Sequence, residues 1–367
     1  MSNAPLSSRK LRVGVIGAGG FAEICHVPGL QSHPQAEVVA LCGRRVEHAR
    51  AMADRLGVPE VHTDYRELCA RDDLDAVTIT TPNAVHAEQA IEAFRHGKHV
   101  FCEKPLGMTV AQVREMLRAA EESGRIHQVA FTFRYTYGVQ ELRRRVRAGE
   151  IGQPYYIRLR WDGWGGLSSG FKAGWRETLE EAGGGVLYDM GSHLHDLAHF
   201  TLGPVEALTG LLHHVPRERE DRLTGERRPV ETDDLAAAWF EHESGVRGEW
   251  FMSRATPPQG DNSYMEVVGP EGALQCALSR GNVERLRLSR PDQPQWEDVP
   301  LPEEAYDGTP HGLGIMMRSF VDACLRGSLD GDVDASFQDG LAAQQALAAV
   351  AESAGSRRWI ALRDAGP

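Results

Sequence analysis

The sequence predicts an α/β protein in which a doubly wound parallel sheet is followed by a second domain built on a mostly antiparallel sheet. Three observations carry this. A glycine-rich turn, Gly17-Ala18-Gly19-Gly20-Phe21-Ala22, follows the apolar run from Val13 to Ile16 and opens a helical segment. Strand and helix patterns then alternate over about the first 130 residues, as parallel strands joined by helical crossovers require. From Tyr137 onward several alternating strands follow one another without long helices between them, which indicates antiparallel pairing.

In the first domain, Gly17 allows a tight turn, Gly19 lets backbone approach a pyrophosphate, and Ala22 takes the close-packing third position of a G-x-G-x-x-G/A dinucleotide fingerprint. Phosphate then sits on the helix N-terminus, where unpaired N–H groups and the dipole favour an anion. Strand Val38–Cys42 and helix Val46–Leu56 follow, then an extended piece near Val61 and a helix opened by Asp64 with Glu67 three residues on. Strand Ala76–Thr81 leads through Pro82-Asn83 to helix Ala84–His96. Strand His99–Cys102 precedes Glu103-Lys104-Pro105, Thr109 and Gln112 form a capping box, and Val129–Phe133 reads as a sixth strand. Ligands are expected at the carboxyl ends of these strands.

The second domain opens with a charged helix from Tyr137 to Ala148, stopped by Gly149, and strand Tyr155–Trp161. A glycine-rich loop and a helix containing Asp189 to Phe200 come next. Strands are expected near 205–212, 234–241, 246–252, 263–268, 272–278 and 283–288, and helices near 310–326 and 336–353 close the chain. Arg217–Arg228 reads as an exposed loop, and the run Arg143–Arg147 as a solvated helix face. The expected divisions are a disordered lead-in over 1–9, a first domain over 10–133 and a second over 134–367.

Composition narrows the function. A chain of 367 residues, 41% hydrophobic and 25% charged, is long enough for two domains. A net charge of −12 argues against a nucleic-acid binder, which needs a concentrated basic surface. No apolar run approaches the roughly 20 residues that span a bilayer, and the first ten residues lack the apolar core of a signal peptide. Six widely spaced cysteines without a C-x-x-C argue against a disulfide scaffold or zinc ribbon and suit a reducing cytoplasm.

Three constellations carry chemistry. After the second strand, where an acidic residue would hold the ribose of NAD, the chain reads Cys42-Gly43-Arg44-Arg45. Two guanidinium groups there suit a 2′-phosphate, so NADP(H) is favoured and NAD(H) remains possible; the competing reading is two solvated arginines at a helix start. Lys104, extended before proline and at a strand's carboxyl end, faces the nicotinamide region, where it can position a hydroxyl and share in proton transfer. Gly183-Gly184-Gly185 leads to Asp189 and His193, which share one face if the segment is helical. The carboxylate can orient the imidazole or bind a hydroxyl while histidine takes a proton near neutral pH. A metal site made from His193, His195, Asp196 and His199 is disfavoured, because His-x-His on a helix points the rings apart; His195 and His199 read as structural.

Taken together and in this order, Gly17-x-Gly19-Gly20-x-Ala22, Thr81-Pro82-Asn83 with His86, Glu103-Lys104-Pro105, Trp175-Arg176 and Gly-Gly-Gly leading to Asp189-x-x-x-His193 resemble the Gfo/Idh/MocA oxidoreductase family from about residue 10 to 360. The resemblance implies a Rossmann domain, a second α/β domain whose open sheet forms homodimer or homotetramer contacts, and hydride transfer between nicotinamide and a carbon bearing a sugar or polyol hydroxyl. It assigns Lys104, Asp189 and His193 to the reacting centre: His193 as general base or acid, Lys104 polarising the same oxygen, Asp189 orienting its partners. It assigns Gly17, Gly19, Gly20, Phe21, Ala22, Thr81, Pro82, Asn83, His86 and Glu103 to the cofactor, with Trp175 and Arg176 reaching it from the second domain. Arg134 and Tyr135 are candidate walls of the substrate cleft, and Trp161 and Trp164 can stack on a sugar. No metal is expected.

Three functions therefore compete: an NADP-dependent dehydrogenase or reductase of a sugar, polyol or keto-sugar; an enzyme that cleaves glycosides through transient oxidation by tightly held NAD; and a dinucleotide-binding sensor without turnover. Retention of Lys104, Asp189 and His193 together counts against the sensor.

Overall fold

The computed structural model describes residues 9–163, 165–168, 170–257, 263–278, 285–301 and 313–365; nearly all of the expected lead-in and Trp164 lie outside the described residues. They divide into two compact units, the first of 9–107, 111–132 and 313–341, the second of 108–110, 133–301 and 342–365. Among the described residues no helix is long and apolar enough to cross a membrane.

The first unit is a six-stranded, fully parallel sheet of β1 (Leu11–Ile16), β2 (Ala36–Cys42), β3 (Glu60–His62), β4 (Ala76–Ile79), β5 (His99–Cys102) and β6 (His127–Val129). Its order is β3-β2-β1-β4-β5-β6, the doubly wound order whose direction reverses between β1 and β4. Strands β1, β4 and β5 are almost wholly apolar and buried, as strands covered on both faces must be. The fingerprint helix covers 20–31, with a π-helical turn, Ala22–His26, ahead of α1 (Val27–Gln31). Helices α2 (Val46–Leu56), α3 (Tyr65–Cys69), α4 (His86–Arg95) and α5 (Val110–Ser123) complete the crossovers. Asp64 caps α3 by accepting the Arg66 N–H at 2.8 Å, the cap expected from sequence. The sixth strand corrects the expectation: it ends at Val129, and 132–135 is a 3₁₀ turn, because an apolar run reads alike for a strand and a buried turn.

The second unit contains α6 (Tyr137–Arg147), β7 (Tyr156–Asp162), α7 (Leu179–Ala182), a helix over 186–202 comprising the π-helical turn Leu187–Gly191 and α8 (Ser192–Leu202), and a largely antiparallel sheet. Strands β8 (Val205–His213), β11 (Leu235–His242), β12 (Arg247–Ser253), β13 (Tyr264–Gly269), β14 (Gly272–Ala277), β15 (Leu286–Arg290), β16 (Gln293–Val299) and β17 (Ile360–Ala361) join β7 in it. Among the described strands of this sheet, only β7 and β12 pair in parallel. Strand burial alternates, and the inner residues pack with Val139, Leu142, Leu194, Leu197, Leu347 and Val350 of the helices. The outer face carries half-exposed Trp239 and Leu211 and a ladder in which Arg158 reaches Glu249 at 2.7 Å and Glu266 at 3.1 Å. The expected loop Arg217–Arg228 is instead a hairpin, β9 (Glu218–Glu220) with β10 (Arg227–Pro229); two polar strands show no apolar alternation to read.

The last helices overturn a single domain boundary at 133/134. Helix α9 (Leu313–Arg326) belongs to the first unit, and the division falls inside α10 (Phe337–Ser356). A Cβ on Gly29 would stand 2.7 Å from Met317 Cβ, Phe320 meets Phe101 edge-on at 5.4 Å, and Val129 N–H donates to Ala335 O at 2.9 Å. An amphipathic repeat tells that a helix covers a core, not which core.

Candidate active site

The glycine turn is sewn into the reversal point of the first sheet. Gly17 has φ +113°, and a Cβ there would stand 2.6 Å from Thr80 Oγ1 and 2.8 Å from the Thr80 carbonyl carbon. The Gly17 N–H donates to Cys42 O at 2.8 Å and Thr80 Oγ1 donates to Gly17 O at 3.1 Å. Only glycine satisfies both the conformation and the approach. Beyond it the backbone is open: a Cβ on Gly20 meets nothing within 4 Å, and on Gly19 nothing nearer than Thr80 O at 3.9 Å. Phe21 is exposed, Ala22 is buried, and no side chain caps the helix start. An uncapped helix start beside the open space at Gly19 and Gly20 is a fit for the pyrophosphate of a dinucleotide.

At the end of β2, a Cβ on Gly43 would stand 2.9 Å from Ala18 Cβ, so the chain passes tightly against the glycine turn before Arg44 and Arg45. Both arginines are exposed, and neither guanidinium group has a hydrogen bond or ion pair among the described residues. His48 lies within 3.0 Å of Ala18 O.

The loops after β4 and β5 are tied together. Thr81 Oγ1 donates to Gln89 Oε1 at 2.7 Å, Pro82 is half-buried and Asn83 buried. The His86 ring is wholly buried, with Nδ1 3.0 Å from Pro105 O and Nε2 2.9 Å from Thr81 O. Burial lowers its pKa. It fastens the two loops together. Glu103 is also buried, its Oε1 3.0 Å from His26 Nε2. Lys104 is half-buried, and its peptide to Pro105 is cis.

In the second unit, the glycine block has a packing cause. Gly183 has φ +78°, a Cβ on Gly184 would overlap the Tyr188 ring, and one on Gly185 would overlap the Asp233 carbonyl. Tyr188 donates to Met108 O at 3.1 Å. Asp189 is half-buried in the π-turn, and His193 is the second residue of α8, buried and edge-on to Phe133 at 5.0 Å. The expected α-helical spacing of this pair is therefore corrected, since a π-turn carries an extra residue per turn and recurs at functional sites.

Trp175 and Arg176 occupy a 3₁₀ turn, the guanidinium 4.2 Å over the indole. Arg254 anchors this turn through Glu177 at 3.4 Å, Asp234 at 2.8 Å and the Thr232 carbonyl at 3.1 Å. Arg134 and Tyr135, the candidate walls of a cleft, are buried. Arg134 Nε donates to Asp196 Oδ2 at 2.9 Å, and its Nη2 to Oδ1 at 2.5 Å. Trp161 is partly buried against the core. His195 is buried, its pKa pushed down to about 3 by desolvation first and by neighbouring His199 and His242, in keeping with a structural role. Arg143 stacks 3.8 Å over Phe200 rather than being solvated, while Arg144 and Arg145 pair with Glu141.

Sequence reading missed Thr80, His26 and Asp233. Thr80 was readable as the residue before Thr81-Pro82-Asn83; the partners of the other two are set only by the fold.

Residues 11–131 match a family described as an oxidoreductase family with an NAD-binding Rossmann fold, and residues 139–275 match the GFO/IDH/MocA C-terminal domain. Levoglucosan dehydrogenase of Pseudarthrobacter phenanthrenivorans is 29% identical over 96% of this chain and 98% of its own. 1,5-Anhydro-D-fructose reductase of Ensifer adhaerens is 35% identical over 72% of this chain and 74% of its own. A solved structure of levoglucosan dehydrogenase in complex with NADH superposes with a TM-score of 0.87 at 26% identity, covering 96% of this chain and 99% of that one.

Proposed function

From the premise that the chain belongs to the Gfo/Idh/MocA oxidoreductase family, we propose that it transfers a hydride between NADP(H) and a sugar, polyol or keto-sugar carbon. The family makes it a nicotinamide-dinucleotide oxidoreductase of CH–OH groups. The preference for NADP(H) rests on one observation: Arg44 and Arg45 stand exposed and unpaired beyond β2, where no carboxylate awaits a ribose. The relative solved with NADH points the other way, so the two cofactors are compared directly.

Bound nicotinamide supplies the hydride acceptor or donor. The open backbone of Gly19 and Gly20 and the helix start behind Phe21 and Ala22 hold the pyrophosphate, Arg44 and Arg45 the 2′-phosphate. Thr81, Pro82, Asn83, Trp175 and Arg176 are assigned to the cofactor. Lys104 polarises the reacting oxygen, His193 takes its proton in oxidation and returns it in reduction, and Asp189 orients the hydroxyl. The uncovered sheet face carrying Trp239 and Leu211 is assigned to a second copy of the chain. Six buried cysteines, none of them in a disulfide among the described residues, suit a reducing cytoplasm.

The test is a fluorescence titration with NADPH and NADH, followed by nicotinamide absorbance with levoglucosan, 1,5-anhydro-D-fructose, inositols and glucosides. Tighter NADPH binding and a substrate-dependent change are expected, with Lys104→Ala binding NADPH yet turning over at least a hundredfold more slowly. Preference for NADH would overturn the cofactor reading. Cleaved glycoside without net absorbance change would replace a dehydrogenase by transient-oxidation chemistry.

A further inference from the structure

We propose that His26 is a positioning residue for Lys104, acting through the carboxylate of Glu103. The proposal rests on the reading of Lys104 as the group that polarises the reacting oxygen. His26 lies in the π-helical turn of the fingerprint helix, fully buried, with its ring edge-on to Phe101 at 5.4 Å. Its Nε2 meets Glu103 Oε1 at 3.0 Å. The other oxygen, Oε2, accepts the backbone N–H of Lys104 at 3.3 Å, while the N–H of Glu103 itself donates to Ile79 O at 3.0 Å.

Glu103 thus folds back over its own peptide and clasps the residue that follows. Among the described residues, His26 is its one side-chain partner. The neighbouring thiols of Cys25 and Cys102 are neutral, held well above their usual pKa by burial and by the charge of Glu103, and supply no counter-charge. A buried carboxylate deprived of its donor reorients to recover a hydrogen bond. That movement releases the Lys104 N–H and, with it, the backbone from which the lysine projects. The same helix that offers its N-terminus to pyrophosphate therefore fixes the lysine, so seating of the cofactor and placement of the amine are mechanically joined.

The chain has four lysines, Lys10, Lys98, Lys104 and Lys172, so reductive ¹³C-methylation gives a spectrum in which Lys104 is assignable by Lys104→Arg. The probe is NADPH alone, added to the full-length protein. His26→Phe keeps the ring and its packing on Phe101 but removes the donor; His26→Gln restores an N–H toward Glu103. Expected for His26→Phe are a displaced Lys104 resonance with the Lys98 and Lys172 signals unmoved, NADPH affinity within threefold of wild type, and kcat at least tenfold lower with whichever panel sugar the wild type turns over. His26→Gln should return the Lys104 signal and most of kcat. An unmoved Lys104 signal and wild-type kcat in His26→Phe, with Lys104→Ala inactive, would overturn the role of His26 and leave the reading of Lys104 standing. Full turnover by Lys104→Ala would remove Lys104 from the reaction, and any part of His26 in turnover with it. Where His26→Phe does not fold, Glu103→Gln takes its place: the same selective displacement supports the proposal, and a wild-type Lys104 signal overturns it.

Discussion

The carboxylate of Asp233 accepts the N–H of Gly185 at 2.6 Å and of Leu187 at 2.9 Å, and the carbonyl of the same aspartate fills the space a Cβ on Gly185 would need. The loop before β11 thereby caps the helix that carries Asp189 and His193. Backbone stands on both sides of the contact, so Gly185→Ala should cost about 3 kcal/mol. Asp233→Ala leaves buried donors without acceptors and should cost about 1–3 kcal/mol for each. Urea unfolding checks both; a Gly185→Ala midpoint at the wild-type value would mean the loop yields freely.

Arg44→Ala with Arg45→Ala should weaken NADPH at least tenfold and NADH less than threefold, since only NADPH carries a 2′-phosphate for the guanidinium groups. Titrations at two salt concentrations check this. Equal losses for the two cofactors would place both arginines outside the cofactor site.

Arg134→Ala should lower stability by about 3–5 kcal/mol, because it strands the Asp196 carboxylate in the core. Replacing both partners by apolar residues, Arg134→Met with Asp196→Leu, should cost less than the single change. A substrate-binding arginine would behave in the opposite way, raising KM while the melting temperature holds.

His195 is kept neutral in the folded chain, its pKa lowered to about 3 from an unfolded value near 6.5. The folded state therefore binds fewer protons than the unfolded state between those values. The stability contributed is complete above about pH 6.5 and is lost progressively as pH falls toward 3. His99, lowered to about 4 by burial, acts with the same sign. His195→Leu should lose less melting temperature than wild type between pH 7 and 4.5; parallel curves would mean that His195 does not titrate against folding.

The parallel sheet was legible because its signals are local: buried strands announce themselves as apolar runs, and Gly17 is demanded by the turn it makes. The end of β6 was not, since Val129-Ala130-Phe131 reads the same in a strand and ahead of a 3₁₀ turn. The hairpin at 218–229 was hidden by its polar strands, with Gly225 at φ +76° the one local clue. His86, Arg134 and Tyr135 stand beside the right motifs but are buried. Proximity in sequence to a site does not tell which way a side chain turns. Asp233 and Glu103 show the converse: each lies in plain view, and its partner, 48 or 77 residues away, is chosen by topology.

The return of α9 to the first unit sets an order of events during synthesis. A ribosome that has made all six parallel strands has still to make β7 through β16 before the helix that packs on Gly29 and Phe101 leaves the exit tunnel. For that interval the nascent first unit presents an uncovered apolar flank, so the fold's earliest-made half is among its last to be finished.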